Sequence, residues 1–160
     1  MRSGYERLAG LDEALDRVRK LSVQTVIFDV EPLVAYWDSG QRALDQGVAL
    51  VLSRAAAVPG VKVVCFATNS LRRPSVMPGT DVRAVYLASA GKPLRTSWYR
   101  GFPQPGAVIG DQVATDGILA RRLGYAFLQC PLPGRVPAGP RLMGWFGSLV
   151  RPLLFTRPAS

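Results

Sequence analysis

The stretch VIFDVEPLV, residues 26–34, decides the fold. An apolar run, Val26-Ile27-Phe28, reaches Asp29, and one apolar step later stands Glu31. A short run of β-branched and aromatic residues predicts a buried strand that ends in a carboxylate. Side chains two apart on a strand share a face, so the pattern predicts that Asp29 and Glu31 converge on one spot. Converging carboxylates repel unless a cation or a proton-transfer task holds them together.

Outward from this strand, helical and strand patterns alternate. Leu11, Leu15, Val18 and Leu21 fall at helical spacing and predict an amphipathic helix over 11–20. A second helix is expected over 41–57, ended by Pro59-Gly60. Residues 61–67 read as a strand, 71–81 as a proline- and arginine-rich loop, and 82–87 as a third strand. A short helix is expected over 93–100, a fourth strand over 107–109, a helix over 115–123 stopped by Gly124, and a fifth strand over 125–130. This alternation predicts an α/β fold of three layers, Rossmann-like, with a mostly parallel five-stranded sheet covered on both faces. Ligands of such sheets bind beyond the carboxyl ends of the strands. That edge would gather Asp29, the Thr68-Asn69-Ser70 cluster and Gly110-Asp111.

Composition limits the chemistry. The 160 residues are 48% hydrophobic, enough for one domain with a core. There is no histidine, which removes Ser-His-Asp and Cys-His catalysis and histidine metal sites. Cys65 and Cys130 lie in apolar runs and read as buried free thiols of a reducing compartment. The first 21 residues mix charged and apolar positions and do not read as a secretory signal. No run approaches the roughly 20 apolar residues of a membrane span. A cytoplasmic protein is expected, with peripheral membrane contact open. The net charge is +9, and from Gly117 to Ser160 there are six arginines and no acid. Such asymmetry favours an anionic partner: lipid headgroups, a phosphorylated substrate or, with less support, nucleic acid.

The strand-end clusters have a joint use. Asp29 can ligate a metal or act as a nucleophile, Thr68 and Asn69 can donate to a phosphate, and Lys92 can neutralise it. Asp111 and Asp116 can complete a magnesium site, because Mg²⁺ takes a few carboxylates together with phosphate and water.

The order of these pieces resembles the haloacid dehalogenase (HAD) superfamily of phosphotransferases. Its four motifs are matched by FDVEPLV, CFATNS, GKP and IGDQVATD, the last being the most specific. The form of the motifs and the lack of room for a large cap domain look most like the YqeG-like, phosphatidylglycerophosphate phosphatase-like branch. The resemblance covers about residues 10–133. It implies an HAD-like domain over 1–133 and a Mg²⁺-dependent phosphomonoester hydrolase. Asp29 would be the nucleophile and a metal ligand, and Glu31 the acid/base whose carbonyl also binds metal. Thr68, Asn69 and Lys92 would bind and stabilise the phosphoryl group, while Asp111 and Asp116 would complete the metal site. Phosphatidylglycerophosphate is the substrate the resemblance implies.

The chain departs from the family at Glu31-Pro32-Leu33. Glutamate is one methylene longer than the family's aspartate, Pro32 has no N–H to donate, and Leu33 lacks the usual hydroxyl. These departures also fit a catalytically impaired HAD-like domain that binds a partner or an anionic membrane. A phosphatase of another phosphate ester, such as a nucleic-acid end, fits as well. Residues 134–160 read as a proline- and arginine-rich linker followed by an apolar, basic segment, LMGWFGSLVRPLLF, in which Pro152 is expected to break any helix. This segment suits either a membrane interface or packing over the sheet.

Overall fold

A computed structural model describes residues 4–131 and 138–155, the side chains of 138–145 excepted. Six strands form one sheet: β1 (Tyr5–Arg7), β2 (Thr25–Asp29), β3 (Val63–Ala67), β4 (Arg83–Leu87), β5 (Gly106–Gly110) and β6 (Ala126–Gln129). Four α-helices accompany them: α1 (Leu11–Lys20), α2 (Gln41–Ala56), α3 (Ile118–Leu123) and α4 (Ala138–Leu154). The strand order is β1-β6-β5-β2-β3-β4, and every pairing is parallel. The fold is therefore α/β and Rossmann-like.

The sheet has one strand more than the sequence pattern predicted. β1 escapes that pattern because it is three residues long and two of them are charged. Among the described residues it is an edge strand, paired with β6 alone, and edge positions tolerate charge. Its Tyr5 ring lies 5.8 Å from that of Phe127, and Glu6 meets Arg17 of α1 at 2.6 Å.

The alternation along β2 sorts the core into two layers. Val26 and Phe28 pack with Leu15 and Val18 of α1 and Leu44, Val48 and Leu52 of α2. Ile27 points the other way, to Cys65, Val108, Leu119, Phe127 and Phe155. Both cysteines are free and buried, and burial pushes each thiol up to about 12. Helix α2 closes tightly on the turn after β2, where a Cβ on Gly47 would stand 2.1 Å from the Val34 carbonyl oxygen.

Two further expectations are corrected. Residues 93–100 form no α-helix but a single 3₁₀ turn, Ser97–Tyr99, anchored by buried Tyr99 and followed by Gly101 at φ +80°. Pro152 does not prevent a helix either, since α4 runs through it to Leu154. Proline forgoes one backbone bond, but the turn is held by the Phe155 N–H on the Arg151 carbonyl and by the Phe155 ring beside Tyr5 and Phe127. The linker expected from residue 134 lies outside the described residues up to 137, and from Ala138 onward the chain is already helical. Among the described residues, no helix is long and apolar enough to cross a membrane.

Candidate functional site

From β2 the chain steps outward through β3 to β4, then crosses back to β5 on the other side of β2. The crevice between the carboxyl ends of β2 and β5 is a topological switch point, where open parallel sheets bind ligands. Asp29 is the last residue of β2 and Asp111 follows the last residue of β5.

Asp116 joins them through a wide turn. The expected helix over 115–123 begins earlier, as a π-helical turn, Val113–Gly117, and becomes α3 at Ile118. Such turns are uncommon and recur at functional sites. This one folds Asp116 back over Gly110, where a Cβ would stand 2.3 Å from Asp116 Oδ2. Only glycine leaves space for that carboxylate. Asp29, Asp111 and Asp116 each place one oxygen so that all three lie within 4.8 Å of one another.

Lys92 enters from the loop after β4. Its Nζ donates to Asp29 Oδ1 at 2.6 Å and to Asp116 Oδ1 at 2.7 Å. Asn69 sets its position, accepting the Lys92 N–H at 2.8 Å and donating to the Lys92 carbonyl at 3.0 Å. Both ends of that amide are thus used on the Lys92 backbone.

Glu31 belongs to a separate group. The Thr68 hydroxyl donates to its Oε2 at 2.5 Å and the Ser70 hydroxyl to its Oε1 at 3.1 Å. Arg72 stands 3.6 Å from the same Oε1, its guanidinium held by the Tyr36 and Ser39 carbonyls. The strand stops at Asp29 and a turn begins at Glu31, so the alternation does not carry across, and the two acids take separate partners. Glu31 is not in the carboxylate trio. Ser70 and Arg72 were not assigned to Glu31 by sequence reasoning. The Thr-x-Ser spacing, which puts two hydroxyls on one side of a tight turn, was the available signal.

Burial and like charge set the electrostatics of the cluster. Burial, then the charge of Asp116, holds the Asp29 carboxyl well above the ordinary carboxylate range, against the pull of Lys92. The same two causes, in the same order, push Asp111 up to about 7. Burial alone would depress the Lys92 ammonium, but Asp116 and Asp29 outweigh it and raise it above the ordinary lysine value. Asp111 Oδ1 is buried with no hydrogen-bond partner among the described residues. Three carboxylates against one ammonium leave an excess of negative charge when all are ionised, and a hard divalent cation with oxygen ligands suits it. The donor set therefore suits a hard divalent cation such as Mg²⁺, with Asp29, Asp111 and Asp116 as the residues that would hold it.

A pH dependence follows. The folded pKa of Asp111, about 7, lies above its ordinary 3.8, so in cation-free protein its contribution to stability is lost as pH rises between those values. A divalent cation competes with that proton. The rise in melting temperature on adding magnesium is expected to grow from about pH 5 to about pH 8. A rise that is absent, or equal at both ends of that range, would contradict the cation site.

No family model matches the chain, and neither a curated protein nor a solved structure matches it.

Proposed function

We propose that the protein is a magnesium-dependent phosphate monoester hydrolase of the HAD type that works through an aspartyl-phosphate on Asp29. The observation that carries this reading is the meeting, at one sheet edge, of four segments far apart in sequence: Asp29, Thr68 to Ser70, Lys92, and Asp111 to Asp116.

The roles are those the family resemblance implies, and the contacts are consistent with them. The Asp29 carboxylate attacks phosphorus, and the ester P–O bond breaks as Glu31 protonates the departing oxygen. Glu31 then takes a proton from water, which attacks the same phosphorus and releases phosphate and free Asp29. Thr68, Ser70 and Arg72 orient Glu31. Lys92 has three donor protons and spends two on Asp29 and Asp116, which leaves one for a phosphoryl oxygen. Bound magnesium supplies charge neutralisation for an anionic nucleophile meeting an anionic substrate. Phosphatidylglycerophosphate is the substrate we favour, with cytoplasmic residence at or near a membrane.

A second reading, a HAD-like domain that has lost catalysis, is favoured by two hydrogen bonds. Both hydroxyls turn to the longer Glu31 rather than to an incoming phosphate.

Phosphate release decides between them. The protein is offered phosphatidylglycerophosphate in mixed micelles and an aryl phosphate, each with and without magnesium. Magnesium-dependent release is expected. No release from either substrate, together with recovered release in Glu31→Asp, would instead establish the lost-catalysis reading.

A further inference from the structure

The net charge of the protein is concentrated in its second half. After Asp81 come ten of the twenty basic residues but only two of the eleven acids, Asp111 and Asp116. Both of those acids lie in the buried site. The surface built from this half therefore carries almost no negative charge.

From Phe146 onward, helix α4 lies on that surface and is apolar on two sides. Its inner side meets the π-helical turn, with Gly147 against Val113 and Ala114, and ends at buried Phe155. Its outer side presents Phe146, Leu149 and Leu153, which are 56%, 56% and 79% exposed. These three recur at helical spacing and form one stripe. Packing on the domain accounts for the inner side and leaves the outer stripe uncovered among the described residues.

A second apolar pair adjoins it through α3. Arg121 donates to the carbonyl of Leu154, at the end of α4. Its neighbour Arg122 donates to the carbonyls of Pro93 and Leu94, both at 2.8 Å. The loop held by Arg122 exposes Leu94 and Trp98, at 76% and 53%, between exposed Arg95 and Arg100. Leu94 is two residues from Lys92 of the site. Exposed apolar side chains thus flank a pair of arginines, and the loop at one end leads into the carboxylate cluster.

We propose that this face docks on an anionic lipid bilayer, with Phe146, Leu149 and Leu153 entering the headgroup region and the arginines meeting lipid phosphates. Aliphatic and aromatic side chains beside arginines are the chemistry of an interfacial helix. A nucleic acid would match the charge but would give Leu94, Leu149 and Leu153 nothing to bury against. A second copy would match the apolar stripe but would bring two strongly basic faces together. Docking of this face would also bring the loop that carries Lys92 toward the bilayer surface.

Vesicle co-sedimentation of the full chain tests this, and no turnover is needed, so the result is independent of the chemistry at Asp29. Vesicles with about a third anionic lipid should bind the protein roughly a hundredfold more tightly than purely zwitterionic ones, and added salt should weaken the binding. Leu149→Glu with Leu153→Glu should weaken it about tenfold or more, with the melting temperature kept because both side chains are exposed. Should that pair lower the melting temperature, Leu94→Glu with Trp98→Glu provides the same test from the other end. Equal binding to both vesicle types, or binding indifferent to both pairs of substitutions, would overturn the proposal. Binding to a polynucleotide without binding to vesicles would overturn it, as would self-association abolished by Leu149→Glu in the absence of vesicle binding.

Discussion

Lys92→Met is expected to lower the melting temperature by roughly 10 °C at neutral pH, the equivalent of about 3–5 kcal/mol. Lys92 is almost wholly buried, and its Nζ is shared between Asp29 and Asp116. Methionine keeps the volume of the stem and removes the charge, which leaves two buried carboxylates facing each other uncompensated. Breaking a buried ion pair from one side is costly for that reason. A carboxyl whose folded pKa is raised above its unfolded value loses stability as pH rises between the two. Asp29 is already such a group, and without the ammonium its shift grows. The gap between variant and parent should therefore widen from about pH 5 to about pH 8. Magnesium should stabilise the variant more than the parent, because a cation there has no ammonium to oppose it. Thermal unfolding across pH, with and without magnesium, checks all three points. A loss within about 1 kcal/mol that is flat with pH would show that the carboxylates are not held together by this lysine.

What the sequence disclosed and what it hid have physical causes. The central strands β2, β3 and β5 were legible because each is buried on both faces and reads as an apolar run. β1 was not, since an edge strand of Tyr-Glu-Arg has no pattern to find. Helix α4 was hidden by Pro152, because local propensity opposes what the burial of Phe155 against Tyr5 and Phe127 secures from outside the helix. Strand order alone brought Asp29, the Thr68-Asn69-Ser70 cluster and Asp111 to one edge, while Lys92 and Asp116 joined them through the chemistry of a phosphate site and the resemblance. The sequence could not reveal that Asn69 clasps the Lys92 backbone, and for Glu31 beside Thr68 and Ser70 it offered only the Thr-x-Ser spacing. Those contacts depend on where the strand ends and the turn begins, which period-two alternation does not tell. The π-helical turn was likewise out of reach, although the Gly110 that accommodates Asp116 stood next to Asp111 in the most specific motif.

Asp29→Asn is expected to abolish magnesium-dependent phosphate release, with a loss of about 10⁴-fold or more, as follows when a nucleophile is removed. The substitution keeps the size of the side chain and removes one of the buried negative charges around Lys92, so folding should survive. Far-UV circular dichroism and the melting temperature check that the fold is kept while release is lost. A variant that still releases phosphate within about tenfold of the parent rate would move the chemistry away from Asp29.

The most direct measurement is to trap the phosphoryl group on its carrier. The protein is incubated with an aryl phosphate and magnesium and quenched with borohydride, which reduces an acyl phosphate to an alcohol. Peptide mass analysis then locates the reduced side chain. Reduction at position 29, dependent on both substrate and magnesium, is the expected result. Phosphate release with Asp29 unreduced, or with the label on another carboxylate, would contradict the aspartyl-phosphate mechanism.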